Sequence, residues 1–181
     1  KEKSLPCMFR ITSDRKCGYA KELIDIVAVG FNIDKQSDYK MADFTLPYKS
    51  TRVLVKQHLI KVAGNVSEAL KDDAVAAAKG IAYNRSFAAK IIQSDDALKV
   101  CYSKVKNHLT LYKDIVVADT WKRETFKFGR EVVAALIIRG KTLCLYLAAD
   151  PARYGGTKYK VEDLSKRNKK TNTPLLYRVK G

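Results

Sequence analysis

The fold is indicated most strongly by residues 132–148, which read VVAALIIRGKTLCLYLA. Two runs of strand-forming residues, 132–139 and 142–148, meet at the tripeptide Arg139-Gly140-Lys141, which is typical of a tight hairpin turn. Similar short runs precede them at 115–118 and 125–128. An edge strand at 158–161 and a closing strand at Leu175–Val179 follow them. The sequence therefore predicts an antiparallel sheet between about residues 115 and 179.

Helical patterns come before this sheet. Apolar residues recur at helical spacing between residues 15 and 31, and again between residues 96 and 112. Ser13-Asp14 and Ser94-Asp95 supply side chains typical of helix N-caps. A short strand, Pro6–Thr12, stands before the first helix. We therefore predict an α+β fold with helices packed on one face of an antiparallel sheet, and residues 5–12 as a candidate additional strand.

The middle of the chain is predicted to be mainly helical. Ser50-Thr51 can cap a short helix that reaches His58. An alanine-rich helix is predicted from Ala69 to Lys79, ending at Gly80. The residues that follow, Tyr83–Gln93, are predicted to be helical as well.

The two ends of the chain resemble each other. Residues 6–11, PCMFRI, align with residues 174–179, PLLYRV, at an offset of 168. The match indicates one period of a tandem array, which divides the chain into residues 1–82, the end of one repeat, and residues 83–181, the start of the next. Together they are expected to form one compact unit. The prediction is either a circularly permuted closure, with the helix at 15–31 on the sheet, or a strand swap between chains.

Four motifs in the second half of the chain belong to a common pattern: RSFAAKIIQS at 85–94, Thr120-Trp121, Gly129-Arg130 and GKTLCLYLAADP at 140–151. They resemble an uncharacterised domain that recurs, often in tandem, in long proteins of Firmicutes. More distantly, the strand block is similar to small α+β domains of the YdhG and YjbR kind. The resemblance implies an antiparallel sheet with helices on one side, and it implies no particular activity.

Charge is the most unusual feature of the composition. The chain has 35 Lys and Arg against 19 Asp and Glu, for a formal net charge of +16. Residues 1–82 contribute +4 and residues 83–181 contribute +12. A field of this sign attracts acidic partners, nucleic acid first and an anionic membrane surface second.

The cysteines and the apolar runs bear on the compartment. Cys7, Cys17, Cys101 and Cys144 are far apart and include no Cys-x-x-Cys pair, so we expect them to be reduced and mostly buried. Reduced cysteines favour a cytoplasmic location. No apolar run approaches the roughly 18 residues typical of a membrane-spanning helix.

No motif predicts catalysis, a cofactor or a metal ion. The tetrapeptide Gly155-Gly156-Thr157-Lys158 lacks the spacing of a phosphate-binding loop and is interpreted as a turn. Asp95 and Asp96 are typical of the first turn of a helix. His58 and His108 are interpreted as partly exposed structural residues, because neither stands near a nucleophile motif.

The densest polar group near Trp121 consists of Glu124, Arg130 and Glu131. We interpret these side chains as an ion pair beside the sheet rather than as catalytic groups. The sequence therefore predicts a non-enzymatic protein.

Basic and aromatic residues alternate in the second half of the chain, where phosphates could bind Lys and Arg and bases could stack on aromatic rings. The first hypothesis is therefore a nucleic-acid-binding module. Its candidate contact residues are Lys158, Lys160, Lys166, Arg167, Lys169, Lys170, Arg178, Trp121 and Arg123.

The same alternation also fits a half-buried strand that turns Tyr to the core and Lys to water, with no ligand. The alternative hypothesis is a structural or protein-interaction repeat module. Its positive charge would maintain solubility or dock an acidic protein, and self-association through the end strands is one form it could take.

Overall fold

The computed structural model describes residues 5–63 and 82–165 of the chain. Within these ranges the helices are α1 (Asp14–Gly30), α2 (Thr51–Lys56), α3 (Phe87–Ile92) and α4 (Asp96–Thr110), with a 3-10 helix at Pro151–Tyr154. The strands are β1 (Cys7–Ile11), β2 (Ile60–Ala63), β3 (Ala82–Arg85), β4 (Ile115–Asp119), β5 (Glu124–Phe128), β6 (Glu131–Arg139), β7 (Thr142–Leu147) and β8 (Glu162–Asp163).

The strands form two antiparallel sheets. The large one has the order β4-β5-β6-β7-β1-β8, and β2 and β3 form a separate two-stranded ribbon. The predicted hairpin joins β6 to β7, and its Gly140 has a φ of +59°, a conformation that glycine adopts without steric cost. The predicted α+β fold with an antiparallel sheet is confirmed.

Strand β1 lies inside the large sheet. Its Cys7 pairs with Leu147 of β7 on one side and with Asp163 of β8 on the other. Helix α1 starts directly after it, because the Ser13 hydroxyl accepts a hydrogen bond from the Lys16 N–H and caps the helix. The helix then packs against β1 and β7. The predicted packing of this helix on the sheet is therefore confirmed.

The main core lies between the large sheet and the helices α1 and α4. Burial of each leucine or isoleucine side chain stabilises the fold by about 1.5–3 kcal/mol. The fully or nearly fully buried contributors include Leu23, Ile24, Val105, Leu109, Phe126, Leu136 and Leu145. A smaller cluster made by Met8, Ala135, Cys144 and Tyr146 forms separately from the main core.

The linker between α1 and α2 is attached to α4 by the buried side chain of Asn107. Its Oδ1 accepts hydrogen bonds from the Tyr39 hydroxyl and the Ala42 N–H, both at 2.9 Å. Its Nδ2 donates to the carbonyl oxygens of Ala42 and Ser103. The linker therefore follows the surface of α4, although it has no regular secondary structure there.

The two-stranded ribbon corrects one prediction. The helix predicted over Tyr83–Gln93 is wrong in its first residues, because Ala82–Arg85 pairs with Ile60–Ala63 as strand β3. Helix α3 begins only after Ser86, whose hydroxyl accepts a hydrogen bond from the Ala89 N–H and caps it. An apolar cluster packs α2 and α3 against the ribbon: Leu54, Ile60, Ala89 and Ile92.

The last described strand also begins later than predicted. Residues 158–161 form no strand, and pairing with β1 starts at Glu162. Lys160 has a φ of +47°, which is incompatible with an extended strand. The predicted helix Ala69–Lys79 and the predicted closing strand Leu175–Val179 lie outside the described residues.

Candidate nucleic-acid interface

The nine residues predicted to contact nucleic acid fall into three groups. Trp121 and Arg123 lie in the turn between β4 and β5, at one edge of the large sheet, whereas Lys158 and Lys160 precede β8 at the other edge. Five spacings of about 4.8 Å separate these edge strands, so the two pairs do not form one continuous site. The remaining five lie outside the described residues: Lys166, Arg167, Lys169, Lys170 and Arg178.

Lys158 is engaged by an acidic side chain of the same chain. Its Nζ lies 2.6 Å from Oε2 of Glu22, which also accepts a hydrogen bond from the Tyr159 hydroxyl at 2.8 Å. The hydrogen bonds from Lys158 and Tyr159 lower the pKa of Glu22 and keep it ionised. The Tyr159 ring packs edge-on against Tyr19 and Tyr154, while Lys160 is exposed. A phosphate at Lys158 would have to displace Glu22. This segment therefore fits the alternative hypothesis better, in which Tyr faces the core and Lys faces water without binding a ligand.

The turn at residues 120–123 is fixed by its own hydrogen bonds. The Thr120 hydroxyl donates to the Arg123 carbonyl oxygen at 2.8 Å, and the Thr120 backbone N–H donates to the same oxygen at 2.9 Å. The Trp121 carbonyl oxygen accepts the N–H of Phe87, the first residue of α3, at 2.7 Å. The turn is therefore attached to α3, and Trp121 has a defined position on the surface.

The Trp121 side chain connects the large sheet to the ribbon. Its indole N–H donates to Oδ1 of Asn84 at 3.0 Å, and the Lys61 Nζ lies 4.7 Å from the ring centroid. Lys61 and Asn84 are directly opposite each other in the β2–β3 register and are both exposed. A cation at this distance is attracted by the negative face of the indole. We call Lys61, Asn84, Trp121, Lys122 and Arg123 the tryptophan surface.

Two segments that contribute to the ribbon of the tryptophan surface carry one sign of charge. Residues 44–63 and 82–94 contain no Asp or Glu and six basic residues: Lys49, Arg52, Lys56, Lys61, Arg85 and Lys90. The turn between β4 and β5 adds Lys122 and Arg123, and the exposed Asp119 directly before the turn is an acidic residue beside this basic group. Like charges gathered in this way raise the local positive potential, which concentrates polyanions at the surface.

Arg85 illustrates how this positive charge is held in place. Its Nε donates to Oε1 of Gln93 at 2.9 Å, and its guanidinium lies 5.3 Å from the Tyr83 ring centroid. The Gln93 amide also donates to the Thr51 hydroxyl at 3.1 Å. Both contacts to Arg85 leave its charge uncompensated, because an amide oxygen and an aromatic ring carry no net charge.

A buried polar network lies directly after the turn. Glu124 is 2% exposed and accepts hydrogen bonds from the Lys106 ammonium and the Tyr102 hydroxyl. Burial raises the pKa of Glu124, and the hydrogen bond from Lys106 opposes that rise. The predicted polar group of Glu124, Arg130 and Glu131 is not brought together, and Glu124 pairs with Lys106 instead. Arg130 and Glu131 follow the opposite end of β5, where Phe128 pairs with Glu131.

The histidines occupy different environments. His58 is exposed, whereas the His108 Nε2 lies 2.8 Å from Oδ1 of Asp25. The same oxygen accepts hydrogen bonds from the Lys35 ammonium at 3.0 Å and from the Tyr112 hydroxyl. Burial lowers the pKa of His108. This cluster joins α1, α4 and the residues that follow each helix, and its Asp25 oxygen is fully occupied by donors from within the chain.

Within residues 5–63 and 82–165, no group of three or more His, Cys, Asp and Glu side chains could hold a metal ion. In the same part of the chain, no helix is long and apolar enough to cross a membrane.

Sequence reasoning identified Trp121 and Arg123 but missed Lys61 and Asn84. Lys61 and Asn84 come together only through the β2–β3 pairing, which the predicted helix over residues 83–93 concealed. Comparison of the chain with protein-family models, curated proteins and solved structures finds no significant match in any of the three.

Proposed function

We propose that this chain is a non-enzymatic nucleic-acid-binding module, and that it contacts single-stranded nucleic acid through the tryptophan surface. The observation that carries the proposal is the position of Trp121, fixed by Asn84 and covered by the Lys61 ammonium. Aromatic rings flanked by cations are the common elements of single-strand binding sites.

Each part of the surface has a separate role in this proposal. The ammonium of Lys61 and the guanidinium of Arg123 bind phosphate oxygens, while an unpaired base stacks on the Trp121 indole. Stacking requires an unpaired base, so single strands are expected to bind more tightly than duplexes. Stacking and phosphate contacts are available to every base, so no base sequence preference is expected.

A fluorescence titration tests the proposal directly. Trp121 is the one tryptophan of the chain, so its emission reports only on this surface. We expect a single-stranded oligonucleotide to quench the emission at low salt, and the affinity to fall steeply as salt rises because counterions are released on binding. Absence of binding at low salt would overturn the proposal.

Substitutions then locate the binding site, with a labelled oligonucleotide as the probe. Trp121→Ala is expected to weaken binding about 5- to 150-fold, as for loss of one stacked base. Lys61→Ala is expected to reduce the slope of log affinity against log salt by about 0.7, as for loss of one phosphate contact to a single strand. Lys113→Ala is the matched control, because Lys113 is exposed and lies before β4, at its other end. If all three variants bind the oligonucleotide equally well, nucleic acid does not bind at the tryptophan surface.

A structural or protein-interaction role remains the second candidate, and one observation favours it. Several apolar side chains between α1 and the end of α2 are exposed: Val29, Met41, Leu46, Tyr48 and Val53. Exposed apolar groups of this kind are typical of contact surfaces between proteins. Self-association measured by sedimentation, weakened by Met41→Ser and Tyr48→Ser and unchanged by Trp121→Ala, would support this candidate over nucleic-acid binding.

A further inference from the structure

Strand β4 forms one edge of the large sheet. Within residues 5–63 and 82–165 it pairs with β5 on one side, and no strand pairs with its other side. The opposite edge of the sheet is β8, which is two residues long and carries two acidic side chains. Strand β4 has five residues, IVVAD, and four of them are apolar. A longer and mostly uncharged edge of this kind is a template for pairing with another strand.

Alternate residues of β4 direct their backbone groups away from β5. The Thr120 N–H donates to the Arg123 carbonyl oxygen at 2.9 Å, so residue 120 is directed toward β5. The Ala118 carbonyl oxygen accepts the Thr125 hydroxyl at 2.8 Å and has the same direction. In an antiparallel ladder, successive residues direct their N–H and C=O groups to opposite sides. The groups on the open side therefore belong to Ile115, Val117 and Asp119.

The open part of this edge is bounded at both ends. Before β4, the Lys113 N–H donates to the Asp34 carbonyl oxygen at 2.9 Å, so the linker after α1 occupies the edge as far as Lys113. After β4, the chain turns back toward β5 at residues 120–123. The open edge is therefore as long as β4 itself, and a strand of the same length fits it.

We propose that β4 pairs with β4 of a second copy of this chain, antiparallel, about a twofold axis at Val117. In this register Val117 lies opposite Val117 of the second copy, and Ile115 lies opposite Asp119. All the outward N–H and C=O groups of β4 then have partners. This dimer is independent of the nucleic-acid proposal, since no residue of β4 belongs to the tryptophan surface.

The neighbouring registers fit less well. A shift by two residues in one direction brings Asp119 against Lys113, whose N–H is already bonded to the linker. A shift by two residues in the other direction brings Ile115 against the turn at residues 120–123, which is not extended. The register centred on Val117 is therefore the one that uses the whole open edge.

The apolar side chains of β4 fit the same arrangement. Val116 is 60% exposed and lies opposite Ala118 of the second copy, where the two backbones approach to about 4.5 Å. Ile115 and Val117 pack against the main core and are only partly buried. The second copy extends the sheet beside them and covers their open sides.

Charge influences both the orientation and the salt dependence of the dimer. The exposed Lys113 lies diagonally across from Asp119 of the second copy, about 7–8 Å away, whereas a parallel pair in matched register sets Lys113 against Lys113. The antiparallel arrangement is therefore favoured. Two chains of net charge +16 repel each other, and salt screens this repulsion. Dimerisation should strengthen as salt rises, whereas nucleic-acid binding should weaken.

Sedimentation velocity of the full chain, freed of nucleic acid, tests the proposal. A single strand pair is small beside the interfaces of about 1,200–2,000 Å² that stable complexes form, so we expect a dissociation constant in the micromolar range or above. The dimer fraction should rise with protein concentration and with salt. A chain that is still monomeric at about 1 mM in high salt, where the association free energy is weaker than about 4 kcal/mol, overturns the proposal.

Hydrogen exchange identifies the edge that is used. When nine-tenths of the chains are dimeric, the amides of Ile115, Val117 and Asp119 should exchange about tenfold more slowly than in dilute protein, because only the monomer exposes them. The amides of Val116 and Ala118 face β5 and should change less. A dimer that leaves the exchange of the three outward amides unchanged uses a different surface and contradicts the proposal.

Two substitutions at the exposed Val116 provide a matched pair. Val116→Lys places like charges on either side of the twofold axis, and we expect it to weaken the dimer about tenfold. Val116→Thr keeps a neutral β-branched side chain and should dimerise like the unchanged chain. Met41→Ser, on the exposed apolar linker, should also leave this dimer intact. Equal dimerisation of Val116→Lys and Val116→Thr would show that β4 is not the interface.

Discussion

The Lys106 ammonium lies 2.5 Å from a carboxylate oxygen of Glu124, with Glu124 only 2% exposed. The Tyr102 hydroxyl also donates to this carboxylate, at 3.1 Å. Glu124 is the first residue of β5 and directly follows the turn that carries Trp121. The pair therefore anchors the base of the tryptophan surface to helix α4.

Loss of one partner of this pair should be costly. Lys106→Met leaves the Glu124 carboxylate buried without its counter-charge, and we expect the free energy of unfolding to fall by about 3–5 kcal/mol. Urea denaturation measures the change. Lys104→Met is the control on the same helix, because Lys104 forms an exposed ion pair with Asp14 and its loss should change stability little. Equal effects of the two substitutions would contradict the prediction.

Stability should also depend on pH through His108. Burial, the largest cause, lowers the pKa of His108 in the folded state from its usual 6.5, and the hydrogen bond to Asp25 opposes this only in part. The unfolded chain therefore takes up a proton before the folded chain does. Stability should accordingly fall as the pH decreases through about 6.5, until the lower folded-state pKa is passed.

The His108→Gln variant tests this dependence. It should show a smaller loss of unfolding free energy between pH 7 and pH 5 than the unchanged chain. Asp25 also makes stability fall as the pH decreases, but in a separate and lower pH range. Its hydrogen bonds outweigh burial and lower its pKa, so its contribution is lost only as the pH falls below about 3.8. If the free energy of unfolding falls as much between pH 7 and pH 5 in His108→Gln as in the unchanged chain, His108 is not the cause of this pH dependence.

Local patterns in the sequence predict the elements whose contacts are also local. The β6–β7 hairpin follows from two apolar runs around Gly140, and α1 follows from Ser13 and the helical spacing after it. Strand β3 was missed because Ala82–Arg85 adopts its conformation by pairing with Ile60–Ala63 across the chain. Tertiary pairing overrides a local helical preference in such a case.

The same reasoning explains how the candidate site was only partly predicted. Trp121 and Arg123 stand out because aromatic and basic residues are adjacent in sequence. The contact between Lys158 and Glu22 joins residues 136 positions apart, so no local pattern indicates that Lys158 is already paired. Asn84 meets Trp121 only because the ribbon lies beside the β4–β5 turn.

Asn107 should control the linker that precedes α2. Asn107→Ala leaves the Ala42 N–H and carbonyl without their partner, and we expect a loss of about 2–3 kcal/mol of unfolding free energy. Hydrogen exchange at the Ala42 amide should become much faster, which places the effect in the linker. Ser103→Ala is the control. It removes one hydrogen bond, to the Phe44 N–H, and should cost about 1 kcal/mol.

The basic segment at 166–181 and the tryptophan surface should contribute to nucleic-acid binding in different ways. This segment contains six Lys and Arg residues and no acidic residue. Deletion of residues 166–181 should weaken binding to all sequences alike. The slope of log affinity against log salt concentration should become shallower by about 0.7 for each single-strand phosphate that the shortened chain no longer neutralises.

Quenching of Trp121 at saturation should survive this deletion, because stacking depends on Trp121 and not on the deleted charges. Trp121→Ala should have a different effect from the deletion. Its affinity should fall at every salt concentration, while the slope of log affinity against log salt concentration stays the same. Circular dichroism of the shortened chain checks that the fold persists. Loss of all binding at low salt on deletion, with no effect of Trp121→Ala, would transfer the interface from the tryptophan surface to the basic segment.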